Sequence, residues 1–203
     1  QVTLSGIVAN GREEQLQGFS GLLNITVYDK EYNQQTIGSV DSPFQFSERS
    51  SKIFEGVATI EDGRFDVEFT VPKDISYDFD YGHVYLYAVN EDSTMDAAGY
   101  FSAFKIGGTS DYDVDEDAPV ADLFMDDYSF VDGGVTSKNP VFLANLSDEN
   151  GINISTSSIG HELSIVLDGK EETRQIINEY YTANKDDNTT GIVLSKILQS
   201  NNK

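Results

Sequence analysis

Residues Asp62 to Val71 leave little freedom in the choice of fold. Phe65, Val67, Phe69 and Val71 alternate with Asp66, Glu68 and Thr70. A period of two sends the apolar set to one face and the polar set to the other, the pattern of a strand with one dry side. Asp62-Gly63 stands before it, and the run Lys52 to Ile60 before that carries Phe54, Ala58 and Ile60 on one face. An Asp-Gly pair between two such runs predicts a two-residue hairpin turn, because type I′ geometry needs positive φ at both central residues. A dry strand face in turn demands a second layer to cover it.

The rest of the first hundred residues repeats the pattern. Val2-Thr3-Leu4 and Ile7-Val8 predict an opening strand ended by the turn dipeptide Asn10-Gly11. Leu23, Ile25 and Val27 alternate with Asn24, Thr26 and Tyr28. Pro72 donates no backbone hydrogen bond and closes the run that ends at Val71. From Gly82 to Val89 both faces are apolar, Val84, Leu86 and Ala88 against Tyr85, Tyr87 and Val89, which predicts a central strand. Gly99 to Ile106 is expected as the last strand, with Tyr100, Phe104 and Ile106 on one face. Six or seven short strands without helical periodicity predict a β-sandwich.

A break follows. Gly107-Gly108 releases the chain, and Asp111, Asp113, Asp115, Glu116 and Asp117 put five acids into seven residues before Pro119. Such a run buries no apolar surface and reads as a linker. Beyond it, Val120 to Met125 and Val141 to Leu146 predict strands, with Asp132-Gly133-Gly134 as a turn between them. Leu163, Ile165 and Leu167 alternate up to Asp168-Gly169, a second hairpin signal, with Arg174 to Asn178 as the return strand. Gly191 to Leu194 predicts a further strand. Leu194, Ile197 and Leu198 are spaced i, i+3, i+4, which reads as a helical turn or a frayed tail. About five strands are legible here, one short of a usual sandwich. The organisation expected is all-β: two immunoglobulin-like β-sandwich modules in tandem at residues 1–109 and 120–203, joined by an acidic linker at 110–119, the second module truncated. A truncated module leaves a strand edge and the face of Leu123, Val141, Leu143, Leu163, Ile165 and Leu167 without cover, so self-association through it is expected.

Charge narrows function. With 35 acids against 13 bases the chain carries −22, which repels nucleic acid and anionic lipid. No cysteine is present, so there is no disulfide, thiolate metal site or cysteine nucleophile on this chain. No run of about 18 apolar residues occurs, so no membrane insertion is expected. The start at Gln1, without Met or a signal peptide, leads us to expect a mature or excised fragment.

No residue group amounts to a catalytic, cofactor or metal site. His83 and His161 are isolated, whereas a metal centre needs three or four convergent ligands. Ser158 with His161 lacks a third group and an oxyanion turn. Asp66 and Glu68 share one wet strand face and read as solvated. The acids from Asp111 to Asp117 fail as an EF-hand, since Glu116 occupies the glycine position and Asp122 the final one. A plain solvated linker is the reading there, with a calcium site between the modules as its alternative. Tyr85 and Tyr87 read as filling a second core layer, with a sugar-stacking platform as the alternative. Asn24, Asn145, Asn153 and Asn188 begin N-x-[ST] matches without further support.

A resemblance adds to this reading. It is carried in the first module by Ser5-Gly6-Ile7-Val8, Val27-Tyr28-Asp29-Lys30, Gly63-Arg64-Phe65, Val71-Pro72-Lys73-Asp74-Ile75, Asp96-Ala97-Ala98-Gly99-Tyr100-Phe101 and Ile106-Gly107-Gly108. In the second it is carried by Asn139-Pro140, Leu146-Ser147-Asp148-Glu149-Asn150-Gly151-Ile152-Asn153, Ile159-Gly160-His161 and Val166-Leu167-Asp168-Gly169. In this order, over residues 2 to about 193, they resemble the region C-terminal to the peptidase domain in the type IX secretion sortases, gingipain-like cysteine peptidases of Bacteroidetes. The resemblance implies non-catalytic modules that orient an upstream peptidase domain at the cell surface, associated with the outer membrane, and contact other secretion-system proteins. It implies a parent that trims sorting signals from cargo and attaches the cargo to anionic lipopolysaccharide, with its catalytic Cys and His outside this chain. Leu194 to Lys203 departs from the family's closing strands. A surface adhesin or carbohydrate-binding sandwich stands beside this as the other reading.

One prediction needs nothing but the charge. Like charges closer than a Debye length of ~10 Å at 0.1 M salt repel each other, so added NaCl should raise the melting temperature. A scan with calcium should raise it further if the Asp cluster binds the ion. Identical melting at low and high salt would contradict the first expectation.

Overall fold

In the computed structural model, residues 1–38, 42–73, 75, 77–108, 117–156 and 162–196 are described. Sixteen strands lie among these residues. They are β1 (Val2–Ile7), β2 (Gly21–Tyr28), β3 (Tyr32–Gln35), β4 (Gln45–Glu48), β5 (Lys52–Ile60), β6 (Arg64–Phe69), β7 (Asp80–Tyr81), β8 (His83–Asn90), β9 (Asp96–Phe101) and β10 (Lys105–Ile106). The series continues with β11 (Val120–Met125), β12 (Val141–Ser147), β13 (Ser164–Ile165), β14 (Gln175–Ile176), β15 (Tyr181–Ala183) and β16 (Thr190–Lys196). Helical structure is confined to short 3-10 turns, so the all-β architecture holds. Eight strands form one sheet in the order β11-β12-β16-β15-β5-β2-β8-β9, and β1–β6, β7–β10, β3–β4 and β13–β14 form two-stranded sheets.

The Asp62-Gly63 turn has the expected conformation, with φ of 49° and 74°. Across it the Glu61 N–H donates to the Arg64 carbonyl and the Arg64 N–H to that of Glu61, both at 2.9 Å. Gly63 is needed for its positive φ and for close packing, since a Cβ there would lie 2.4 Å from the Leu16 carbonyl oxygen. Past this pair the two strands part company. β5 runs into the large sheet beside β2, while β6 pairs with β1. The turn is thus the corner where the chain crosses from one layer to the other. Phe54 of β5 and Phe69 of β6 then meet across the sandwich, stacked with centroids 5.0 Å apart.

Register explains the dry face. Leu23 lies opposite Ala58 and Ala88, Ile25 opposite Gly56 and Leu86, and Val27 opposite Phe54 and Val84. These rows face Phe65, Val67 and Phe69 of β6, and the buried cluster continues into the second half through Phe142, Ala144, Tyr181 and Val193. One sheet therefore serves both halves, covered by β1–β6 in the first and by β13–β14 in the second.

Three expectations need correction. The strand expected over Gly99–Ile106 stops at Phe101; the chain then leaves the sheet, and Ile106 is buried opposite Asp80 of β7. The helical turn expected from Leu194 is strand instead, as far as Lys196. Over these residues β16 pairs with β12, Leu194 opposite Leu143, Ser195 opposite Phe142 and Lys196 opposite Val141, and a helix would forfeit those backbone hydrogen bonds. Ile197 and Leu198 lie outside the described residues. Leu143 does not share a face with Leu123. It is opposite Phe124 in the register, while Ala144 is opposite Leu123. The second half holds six strands among the described residues, because Tyr181–Ala183 is too short to be read from periodicity. Most of the expected linker, residues 110–116, lies outside the described residues.

The halves meet at a narrow seam. β15 runs parallel to β5 with Ala183 opposite Gly56. A Cβ on Gly56 would lie 2.7 Å from the Phe54 ring and 3.2 Å from the Ala183 Cβ, so glycine permits the approach. Polar bonds reinforce it. The Asp186 N–H donates to the Val57 carbonyl at 3.0 Å, and Thr59 donates to the Asp186 carboxylate through its N–H at 2.7 Å and its hydroxyl at 2.5 Å. Lys52 Nζ, buried, lies 2.7 Å from Glu55 and 2.8 Å from Glu179. Burial opposes its charge, but the hydrogen bonds to Glu179 and Glu55 outweigh that, and its pKa is raised. Ser51 and Ser155 hydroxyls lie 3.3 Å apart across the same junction.

Gly56→Val should therefore destabilise the chain by about 1–3 kcal/mol, the usual cost of overpacking a closed site. Urea denaturation measures it. A variant as stable as the parent would show that β15 is not seated against Gly56.

Candidate functional site

Among the described residues, the histidine and acids singled out from sequence do not converge. His83 is buried within an aromatic stack: its ring lies 5.4 Å from that of Tyr100, nearly parallel, and 4.5 Å from that of Tyr85. Burial pushes its pKa down, with Arg49 adding to the effect, which favours the neutral imidazole. Its Nδ1 has no hydrogen-bond partner among the described residues, and the ring packs as an aromatic. His161, Ser158, Asp111, Asp113 and Asp115 lie outside the described residues. Asp66 and Glu68 sit on the exposed face of β6 beside Ser5 and Thr3 of β1, and the Ser5 hydroxyl donates to Asp66. Among the described residues, no group of three or more His, Cys, Asp or Glu side chains is placed to hold a metal ion.

Two surfaces remain. The first is an aromatic row on the outer face of β8 and β9. Tyr85 and Tyr87 do not fill a second core layer as expected: they are 48% and 45% exposed, and among the described residues no strand covers the outer face of the sheet there. Tyr100, 71% exposed, lies opposite Tyr85 in the β8–β9 ladder. The rings are held in place: Tyr28 meets Tyr85 edge-on at 5.8 Å, His83 backs Tyr100, and the Tyr87 hydroxyl donates to Asp96 at 3.0 Å. Asn24 and Thr26 of β2 continue the same face, opposite Tyr87 and Tyr85.

The second surface lies at the far end of the sheet. Between the inner face of β11, β12 and β16 and the short β13–β14 layer runs a groove of about 410 Å³. Leu123, Met125, Phe142, Leu163 and Ile165 are among the apolar residues lining it. The groove exists because β13 and β14, two residues each, are too short to cover strands of six and seven. No sequence signal marks it, since alternation shows which residues share a face but not how much of that face is covered.

Asp126 fixes this end of the sheet. Its backbone has φ 66°, and its carboxylate accepts from the Ser137 N–H at 2.9 Å, the Thr136 hydroxyl at 2.7 Å, the Val141 N–H at 3.1 Å and the Ser137 hydroxyl at 3.1 Å. The residues between β11 and β12 thus close on the carboxylate that ends β11. These donors, the Ser137 N–H foremost, pull its pKa from 3.8 down to about 2. The sign follows: a depressed native pKa gives stability that is present above the ordinary value of 3.8 and lost as pH falls through about 2. The Ser137 and Val141 amides should therefore stay protected from exchange at pH 3 and lose protection towards pH 2 in an NMR titration. Asp126→Asn tolerates the positive φ but has one acceptor oxygen fewer and no charge. It should loosen the segment at neutral pH and abolish the acid step; an unchanged acid profile would contradict the assignment.

Comparison with known proteins gives a match among solved structures. No family model matches the chain, and no curated protein does. Among solved structures the chain is similar to the crystal structure of dimeric latent PorU from Porphyromonas gingivalis, with a TM-score of 0.54 and 26% identity. The match covers 98% of this chain and 19% of that one. The chain has a PorU-like fold along its length and spans about a fifth of the protein it matches.

Proposed function

We propose that this chain is a non-catalytic β-sandwich region of a type IX secretion sortase, orienting the peptidase domain of its parent at the cell surface. The observation that carries the reading is the fit of nearly the whole chain to a fifth of PorU. The absence of cysteine supports it, because the nucleophile of a cysteine peptidase must then come from elsewhere in the parent. The shared sheet supports a mechanical role, because strand pairing runs without interruption from one half to the other. A surface of −22 suits an exterior setting, where it discourages non-specific adhesion to anionic lipid. In this reading the partners are the peptidase domain and outer-membrane proteins of the secretion system.

The purified chain should not cleave a peptide substrate with basic residues, whereas the parent should. A parent lacking these residues should keep a cysteine reactive towards an active-site label yet lose cargo sorting. Cleavage by the isolated chain, or normal sorting by the deleted parent, would overturn the proposal. The exposed row of Tyr85, Tyr87 and Tyr100 favours one other reading, a carbohydrate-binding surface module. Tyr100→Ala separates the two: it should abolish glycan binding in the second reading and leave sorting intact in the first.

A further inference from the structure

β11 ends the large sheet. Its ladder with β12 uses one side of its backbone, and among the described residues no strand pairs with the other. Alternate N–H and C=O groups along Val120–Met125 therefore face outward, a template for another strand. The apolar groove runs along the same strand, since Ala121, Leu123 and Met125 contribute to its lining. Leu123 stands 60% exposed at its mouth. A free backbone edge and an uncovered apolar face thus coincide on one element. Local charge indicates what fits there. Between Asp117 and Ser137 the chain carries five Asp and no Lys or Arg, and Asp122 projects from the face of β11 opposite Leu123.

We propose that β11 accepts an extended segment of a partner protein in which apolar residues alternate with Lys or Arg. Added as a ninth strand, such a segment pairs with the open edge, the recognition mode known as β-augmentation. The side chains cross-strand from Ala121, Leu123 and Met125 enter the groove. Those cross-strand from Val120, Asp122 and Phe124 lie on the other face, where a basic residue meets Asp122. Six residues of edge span roughly 20 Å, so a segment of about seven residues covers it. A second copy of this chain fits less well: antiparallel pairing of β11 with itself sets Asp122 near Asp122 and brings two chains of −22 together.

The test uses the full chain and a fluorescein-labelled Lys-Val-Lys-Val-Lys-Val-Lys peptide, with binding read by anisotropy. Three controls accompany it: the same residues in blocks, an alternating Glu/Val peptide, and the Lys/Val peptide N-methylated at alternate backbone nitrogens. The alternating basic peptide should bind saturably, and each control should bind about tenfold more weakly or worse, as expected for the loss of several cross-strand pairs. Leu123→Arg, at an exposed position that the fold tolerates, should weaken binding by a similar factor, and Asp122→Lys should do so with a reduced salt dependence. Equal binding of the block peptide would reduce the effect to bulk charge and overturn the proposal. Equal binding of the N-methylated peptide, indifference to Leu123→Arg, or absence of saturable binding would also overturn it. Sedimentation of the free chain supplies the last outcome: a concentration-dependent dimer abolished by Leu123→Arg would assign the edge to a second copy instead.

Discussion

Strand β5 hydrogen-bonds to β2 from Lys52 to Ile60 on one side and meets β15 at Ala183 on the other. Every strand that the first half contributes to the large sheet is joined to the second half through that contact. Its area is small, one register pair, and it depends on Gly56 having no side chain. The polar bonds around it matter correspondingly more. Asp186 satisfies the Thr59 amide and hydroxyl together, and Lys52 brings a carboxylate from each half to a single buried ammonium. Of these groups the Lys52 ammonium is buried, so removing its carboxylates would leave a desolvated charge behind. The seam is therefore specific in register although it is narrow.

Continuity through the seam also sets where the chain can act. A sheet of eight strands has two free ends. At one, β9 carries Tyr100 beside the aromatic row; at the other, β11 carries Leu123 beside the groove. The two surfaces lie at opposite ends of one sheet. Neither surface carries a nucleophile with its base, nor a set of metal ligands among the described residues. What they offer is shape, aromatic surface and charge.

Much of this was legible in the residues. Strict alternation located β2 and β6, apolar runs located β5, β11 and β12, and Asp62-Gly63 marked its turn. Local patterns stop at pairing partners. Nothing in Lys52–Ile60 or Arg64–Phe69 says that the two strands separate after one pair, because the choice is made by β1 and β2, distant in sequence. Leu194, Ile197 and Leu198 mimic a helical spacing, yet the ladder with β12 holds Leu194 to Lys196 extended. Tyr85 and Tyr87 read as core yet stand exposed, because a sequence pattern reports which residues share a face and not what covers it, and the groove lacks a local signature for the same reason. The family resemblance was carried by turn and strand motifs spread over the chain, and the match in fold runs over the same span.

The central claim is that the two halves share one sheet through β5 and β15. Native-state hydrogen exchange in increasing, sub-denaturing urea tests it most directly, by following the amides of Ile25 in β2 and Ala144 in β12. A shared sheet predicts that both opening free energies fall with the same urea slope and merge with global unfolding. If Ala144 opened in its own transition, with a smaller slope and with Ile25 still protected, the halves would be independent and the account of the seam would be contradicted.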